Sequence, residues 1–194
     1  MVEHYFSEEQ DSEFELKEFE TVLNGKEYKF FTASGVFSKK RLDFGTKVLV
    51  ENMQVHGRVL DLGCGLGVVG SIAAETATEV VMTDINKRAV KLAKMNTKKL
   101  KNVKVVQGDQ YENVSGKFDV ILLNPPQTAG KKVCWAMMAD AKKYLVEGGS
   151  LQVVARNNKG GKTISLYMLE EYGNMETLCR TGGYRVYMSV FNKV

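Results

Sequence analysis

Proline is almost missing from this 194-residue chain: there are two, adjacent to one another, in Asn124-Pro125-Pro126-Gln127. Histidine is as scarce. His4 and His56 stand apart from any cysteine or carboxylate pair, which argues against a Ser-His-Asp site or a histidine-built metal centre. Three cysteines, Cys64, Cys134 and Cys179, form an odd set without CxxC spacing, so neither a disulfide framework nor a zinc site is indicated. No apolar run approaches the roughly 20 residues that cross a bilayer. The first residues are acidic rather than basic and then apolar, unlike a signal peptide, so a cytoplasmic location is the expectation.

Charge is short of one sign over most of the length. Eight acids (Glu3, Glu8, Glu9, Asp11, Glu13, Glu15, Glu18 and Glu20) crowd residues 3–20 beside a single base, Lys17. Removing these from the totals of 27 basic and 23 acidic residues leaves 26 against 15, or +11, over residues 21–194. That balance suits a polyanionic partner.

What is present alternates. "FELKEFETVL" and "KEYKFFTA" flank Asn24-Gly25, a favoured two-residue hairpin turn. A helix is expected from Asp43. Strands are then expected at 57–63, 79–84, 103–109, 118–124 and 150–156, with helices at about 67–76, 86–100, 131–146 and 162–172. Two further strand-like runs flank Gly182-Gly183. Strands apolar on both faces and separated by helices imply a doubly wound, Rossmann-like α/β fold. The expected sheet is seven-stranded and mostly parallel, with an antiparallel C-terminal hairpin. The division read from the sequence is an N-terminal extension, 1–45, carrying a small β-hairpin and a loop, and an α/β domain, 46–194.

"VLDLGCGLG" (59–67) closes the first strand of the α/β part and opens its helix. Gly63, Gly65 and Gly67 allow a sharp turn and close approach of a ligand. Asp84 ends the next strand, where an acid can accept hydrogen bonds from both hydroxyls of a ribose. Asp61 stands just before the glycines, a position that would repel a pyrophosphate but hold an amino group. An adenosine ligand bearing an amino acid and a sulfonium therefore fits better than a dinucleotide.

In these residues the chain resembles the class I S-adenosylmethionine-dependent methyltransferases, over about residues 30–194. The resemblance implies that Asp61, Gly63 and Gly65 line the methionine part of the cofactor, with Cys64 filling the loop. It implies further that Asp84 binds the ribose, Ile85 packs on the adenine and Asp109 sits near the adenine amino group. No metal is expected.

Asn124-Pro125-Pro126 falls at the carboxyl end of the fourth parallel strand, where ligands of such sheets bind. Two prolines stiffen an extended backbone. The Asn124 side-chain carbonyl and the Pro125 backbone carbonyl can then accept both hydrogens of one exocyclic NH2. That arrangement favours a pyramidal nitrogen with its lone pair aimed at a methyl group. The stretch resembles the [N/D]PP[Y/F] signature of amino-methyltransferases, with Gln127 in place of the usual aromatic. The departure counts against the N6-adenine and protein-glutamine branches, and Phe37 is a candidate for the missing stacking face.

"FTASGVFSKKRLDFGTKVLVE" (31–51) with "NPPQTAGK" (124–131) resembles the branch of the methyltransferase small domain family containing the bacterial 16S rRNA guanine-N2 methyltransferases and their single-domain archaeal relatives. This implies a "GVFS" loop (35–38) that closes over the cofactor through Gly35 and Phe37, and guanine N2 of small-subunit rRNA as the target. It also implies that the chain is the catalytic domain alone. RNA, as rRNA or the small ribosomal subunit, is then the partner. Candidate RNA contacts are Arg156, Lys159 and Lys162 on an expected Gly160-Gly161 loop, with Lys131 beside Asn-Pro-Pro. Lys87, Lys91, Lys94 and Lys98 make a basic helical stripe better read as a solvated face. Two alternatives stand: an N6-adenine or protein-glutamine methyltransferase, and, in another class, a non-catalytic cofactor-binding RNA or ribosome assembly factor.

Overall fold

A computed structural model of the chain describes residues 14–36, 42–126 and 130–193. The N-terminal hairpin pairs β1 (Leu16–Leu23) with β2 (Lys26–Ala33) around Asn24-Gly25, both residues at positive φ as a type I′ turn requires. Its buried side chains, Leu23, Phe30 and Ala33, join the same apolar cluster as the helices that follow.

The α/β part runs α1 (Phe44–Asn52), β3 (Arg58–Leu62), α2 (Val68–Ala73), β4 (Glu79–Asp84), α3 (Lys87–Asn96), β5 (Val103–Gln107), β6 (Phe118–Leu123), α4 (Lys131–Ala141), β7 (Leu145–Arg156), α5 (Lys162–Tyr172), β8 (Glu176–Thr181) and β9 (Tyr184–Val190). The seven strands lie in the order β5-β4-β3-β6-β7-β9-β8; pairs through β7 are parallel, and β9 is antiparallel to both neighbours. The expected fold class is the observed one.

Alternation along the strands splits the core in two. Val59, Val80, Met82, Val120 and Leu122 face the side covered by α1, α2 and α3, whereas Leu60, Val81, Ile121 and Leu123 face α4 and α5. The chain leaves β3 for β4 and β5, then returns to β6 on the other side of β3. The crevice of this doubly wound sheet therefore opens where Leu62 and Leu123 pair side by side, just before Gly63 and Asn124. Among the described residues no helix is long and apolar enough to cross a membrane.

Several boundaries differ from the sequence expectation. The helix expected to 146 ends at Ala141, and β7 begins at Leu145 rather than at 150. The cause is a register shift in its pairing with β6: Phe118 opposes Leu145 but Val120 opposes Ser150, so 146–149 bulge with Gly148 at φ +77°. Residues 147–149, which the sequence leaves between the expected helix and strand, therefore belong with Val146 to a bulge within the strand. The helix expected over 86–100 stops at Asn96, whose amide is engaged elsewhere. The expected Gly160-Gly161 loop is a single π-helical turn, Asn157–Gly161, running directly into α5.

Candidate active site

The glycine loop is fastened before it meets any ligand. Gly63 and Cys64 both donate their N–H to the Thr83 carbonyl, at 2.9 and 3.0 Å. Gly63, Gly65 and Gly67 have φ of +73°, +54° and +86°. At Gly67 a Cβ would lie 3.1 Å from the Ala93 Cβ, so this glycine lets α2 approach α3. At Gly65 a Cβ would meet nothing within 4 Å, and at Gly63 only Met137 Cε at 3.9 Å. These two open onto a cavity of about 330 Å3.

Both acids read from the sequence line that cavity. Asp61 is 3% exposed, and its Oδ2 accepts from Gly70 N–H at 2.8 Å. Burial pushes its carboxyl up to about 7; the Gly70 N–H pulls it down and the nearby Asp84 carboxylate raises it further. Asp84 accepts from Gly65 N–H at 2.8 Å and from Asn86 N–H at 2.9 Å, one on each oxygen. Its carboxyl is raised as well, by burial, against the pull of those backbone donors. Each carboxylate oxygen can accept more than one hydrogen bond, so capacity remains for ribose hydroxyls. Burial, reinforced by Asp84 and Asp61, raises the Cys64 thiol well above its ordinary range, which keeps it protonated and unreactive.

The cavity wall continues with Ile85 and Asp109, both expected from the sequence, and with Gln110, Leu42, Leu66, Val69, Val133 and Met137, which were not. Gln110 holds φ +51°, unusual for a residue with a side chain. Thr83 Oγ1, fully buried on the same wall, has no hydrogen-bond partner among the described residues. An apolar slot lined by the carboxylates of Asp61, Asp84 and Asp109, with backbone glycines facing in, suits an adenosine-amino acid ligand.

Asparagines assemble the frame. Asn86 caps α3 through Oδ1 and donates from Nδ2 to the Gly35 carbonyl at 3.1 Å, which fixes the start of the "GVFS" segment beside the cavity. Asn96 accepts from Phe31 N–H at 2.7 Å and donates to the carbonyls of Phe31 and Leu66, at 3.0 and 2.8 Å. One amide thereby joins the hairpin, α3 and the glycine loop. Nothing in the sequence distinguishes Asn96 from a surface asparagine.

Across the crevice, Asn124, Pro125 and Pro126 line the same cavity. Asn124 Nδ2 donates to Thr46 Oγ1 at 3.0 Å and lies 3.4 Å from Asp43 Oδ2. Its Oδ1 accepts no hydrogen bond among the described residues. Pro126 offers its carbonyl to the Cys134 thiol at 3.7 Å.

Of the candidate RNA contacts, Arg156, Lys162 and Lys131 are exposed: Arg156 ends β7, Lys162 opens α5 and Lys131 opens α4. Gln127 and Phe37 lie outside the described residues, as does the side chain of Lys159. Lys91 and Lys94 are exposed, as a solvated stripe would be, and Lys91 Nζ stands 4.4 Å above the Phe14 ring. No cluster of three or more His, Cys, Asp or Glu side chains that could hold a metal occurs among the described residues.

Known proteins resemble the chain in sequence and fold. The chain is 34% identical over 195 residues to the uncharacterized protein YbxB of Bacillus subtilis, covering 96% of this chain and 97% of that one. It is 32% identical over 196 residues to ribosomal RNA small subunit methyltransferase C of Haemophilus influenzae, covering 95% of this chain but 58% of that protein's length. Among solved structures, the T. thermophilus 16S rRNA N2 methyltransferase RsmC, in complex with AdoMet and guanosine, superposes with a TM-score of 0.82 at 26% identity, over 91% of this chain and 51% of that one. The methyltransferase small domain family matches residues 27–188, and the chain belongs to that family.

Proposed function

We propose that the protein is an S-adenosylmethionine-dependent N-methyltransferase whose target is the exocyclic N2 amine of a guanine in small-subunit rRNA. The observation that carries this reading is the Asn124 amide: its NH2 is held by Thr46 and Asp43, its Oδ1 accepts no hydrogen bond among the described residues, and the residue lines a cavity whose other wall is the glycine loop. The guanosine held by the RsmC structure and the names of the curated relatives support the choice of base and of RNA.

Asp61 would hold the ammonium of the cofactor, Asp84 its ribose, and Ile85 and Asp109 its adenine. The cofactor supplies an electrophilic methyl group on a positively charged sulfur. Asn124 Oδ1 and the Pro125 carbonyl would accept the two amine hydrogens, steering the nitrogen lone pair to that methyl carbon. Transfer would leave a surplus proton on the nitrogen, and Asn124 Oδ1 and the Pro125 carbonyl would hold the amine while that proton passes to solvent. Positioning of this kind supplies much of the rate, and no strong base is needed at the nitrogen. Arg156, Lys162 and Lys131 at the same edge would meet the phosphates.

The division into an extension to residue 45 and a methyltransferase domain from 46 is part of this proposal, supported by the separate two-stranded sheet of the hairpin. A ribosomal substrate would place the protein in the cytoplasm. The test is methylation of total RNA and of immature small subunits with labelled cofactor, followed by identification of the nucleoside. N2-methylguanosine is expected. Labelled N6-methyladenosine, or label in protein alone, would overturn the choice of amine, and tight RNA binding without label would overturn the catalysis.

A further inference from the structure

We infer that Asp43 and Thr46, at the start of α1, are positioning residues for the reaction: they decide which end of the Asn124 amide faces the substrate and strengthen that end as an acceptor. The inference rests on the proposed role of Asn124 as the amine's acceptor.

An asparagine side chain has two nearly isosteric ends, and only the oxygen can accept from an amine. Here the NH2 end has two acceptors. Thr46 Oγ1 lies 3.0 Å from Nδ2, and Asp43 Oδ2 lies 3.4 Å from it. The Thr46 hydroxyl is itself 3.5 Å from the same Asp43 oxygen, so it can turn its proton to the carboxylate and its lone pair to the amide. A flipped amide would set Oδ1 against that carboxylate, and like charges at this separation repel. Charge, more than packing, therefore chooses the orientation.

Asp43 is held firmly enough to do this. Its Oδ2 also accepts from Thr46 N–H at 3.0 Å, capping α1. The next residue, Phe44, packs edge-on against Tyr184 with ring centroids 5.6 Å apart, which ties the helix start to the last strand. A carboxylate behind the NH2 also draws the amide toward its charge-separated form and puts more negative charge on Oδ1. The amine gains positive charge as its bond to the methyl carbon forms, so this acceptor matters most in the transition state. With Asn124 the charge stands one residue back, on Asp43.

The test is a reciprocal exchange, read as kcat and KM for RNA methylation with cofactor Kd measured separately. Asp43→Asn retains a good helix cap while removing the charge. It is expected to lower kcat by about tenfold or more, the scale of one transition-state contact, with cofactor Kd and thermal midpoint nearly unchanged. Asn124→Asp alone replaces the donor that faces Asp43 by a second carboxylate, so the new side chain is pushed out of position and kcat should fall. The double variant Asp43→Asn/Asn124→Asp restores a donor facing an acceptor and is expected to recover about tenfold over Asn124→Asp alone. Thr46→Val should lower kcat without altering cofactor Kd, and Thr46→Ser should restore it. Full kcat in Asp43→Asn, or a double variant no better than Asn124→Asp, overturns the inference. A wild-type protein that methylates no RNA overturns the proposed function instead. In that case the Asn124 side-chain NH2 resonances still decide the inference: slowed rotation and exchange in the wild type, lost in Asp43→Asn, are expected, and unrestrained wild-type resonances refute it.

Discussion

The two walls of the crevice are built on different plans. On the cofactor side, each acid is answered by nearby backbone: Asp61 by Gly70, 9 residues on, and Asp84 by Gly65, 19 residues back, and by Asn86, 2 residues on. On the amine side, Asn124 is answered by side chains 78 and 81 residues away, on a helix that packs against the far end of the sheet. The first wall is local backbone chemistry; the second is tertiary. A wall of the first kind forms with its own strand-loop-helix unit. One of the second kind exists only when distant elements have docked.

That contrast can be broken most directly at Asp61. Asp61→Asn keeps an acceptor for Gly70 but removes the charge. It is expected to weaken cofactor binding by about 100-fold, breaking a buried charge pair being worth about 3 kcal/mol or more. The free protein should move the other way. A carboxyl raised to about 7 by burial favours folding most below its unfolded value near 4, and that contribution is lost as pH rises to about 7. At pH 8 the variant should therefore unfold at a higher temperature, by at least about 2–4 °C, the shift that 1 kcal/mol produces in a domain of this size. Calorimetric titration and a melting curve check both. Equal losses of affinity and stability would mean that the acid supports the fold rather than the ligand.

On the opposite wall, Asn124→Ala should lower turnover by at least about tenfold and leave cofactor affinity nearly intact. A parallel loss of affinity would show that the walls are not independent. Without mutation, lowering the pH from 8 to 6 should weaken cofactor binding about tenfold as Asp61 takes up its proton. Asp61→Asn should flatten that profile. The smallest expected effect is at Gln110: relief of its positive φ by Gln110→Gly, less the added chain entropy, should stabilise the fold by about 0.5 kcal/mol. Chemical denaturation would read it.

The same division explains what could be read from the sequence. The glycine loop and Asp84 were legible because glycine at positive φ and an acid closing the next strand are local requirements of a ligand at a strand end. Asn124-Pro125-Pro126 was legible because paired prolines in a chain otherwise free of them need a reason. The partners of Asn124 were not: Asp43 and Thr46 read as an ordinary helix start, and their separation from Asn124 carries no periodic signal. Asn96 was hidden for the same reason. The bulge in β7 was missed because its two glycines resemble a turn, and only the pairing with Phe118 and Val120 shows the strand running through them.

The edge-on contact of Phe44 with Tyr184 has a consequence in time. Gly183 receives the N–H of Asn157, and Tyr184 braces the start of α1, so the helix proposed to orient Asn124 leans on a hairpin synthesised after both. At about 5–20 residues per second, a ribosome needs roughly 3–12 s to extend the chain from Asn124 to Tyr184. During that interval the glycine loop and both of its acids are already outside or emerging, while the amide that would receive the substrate lacks its brace. On the proposed roles, the nascent chain would acquire the means to hold a cofactor before it acquired the means to spend its methyl group.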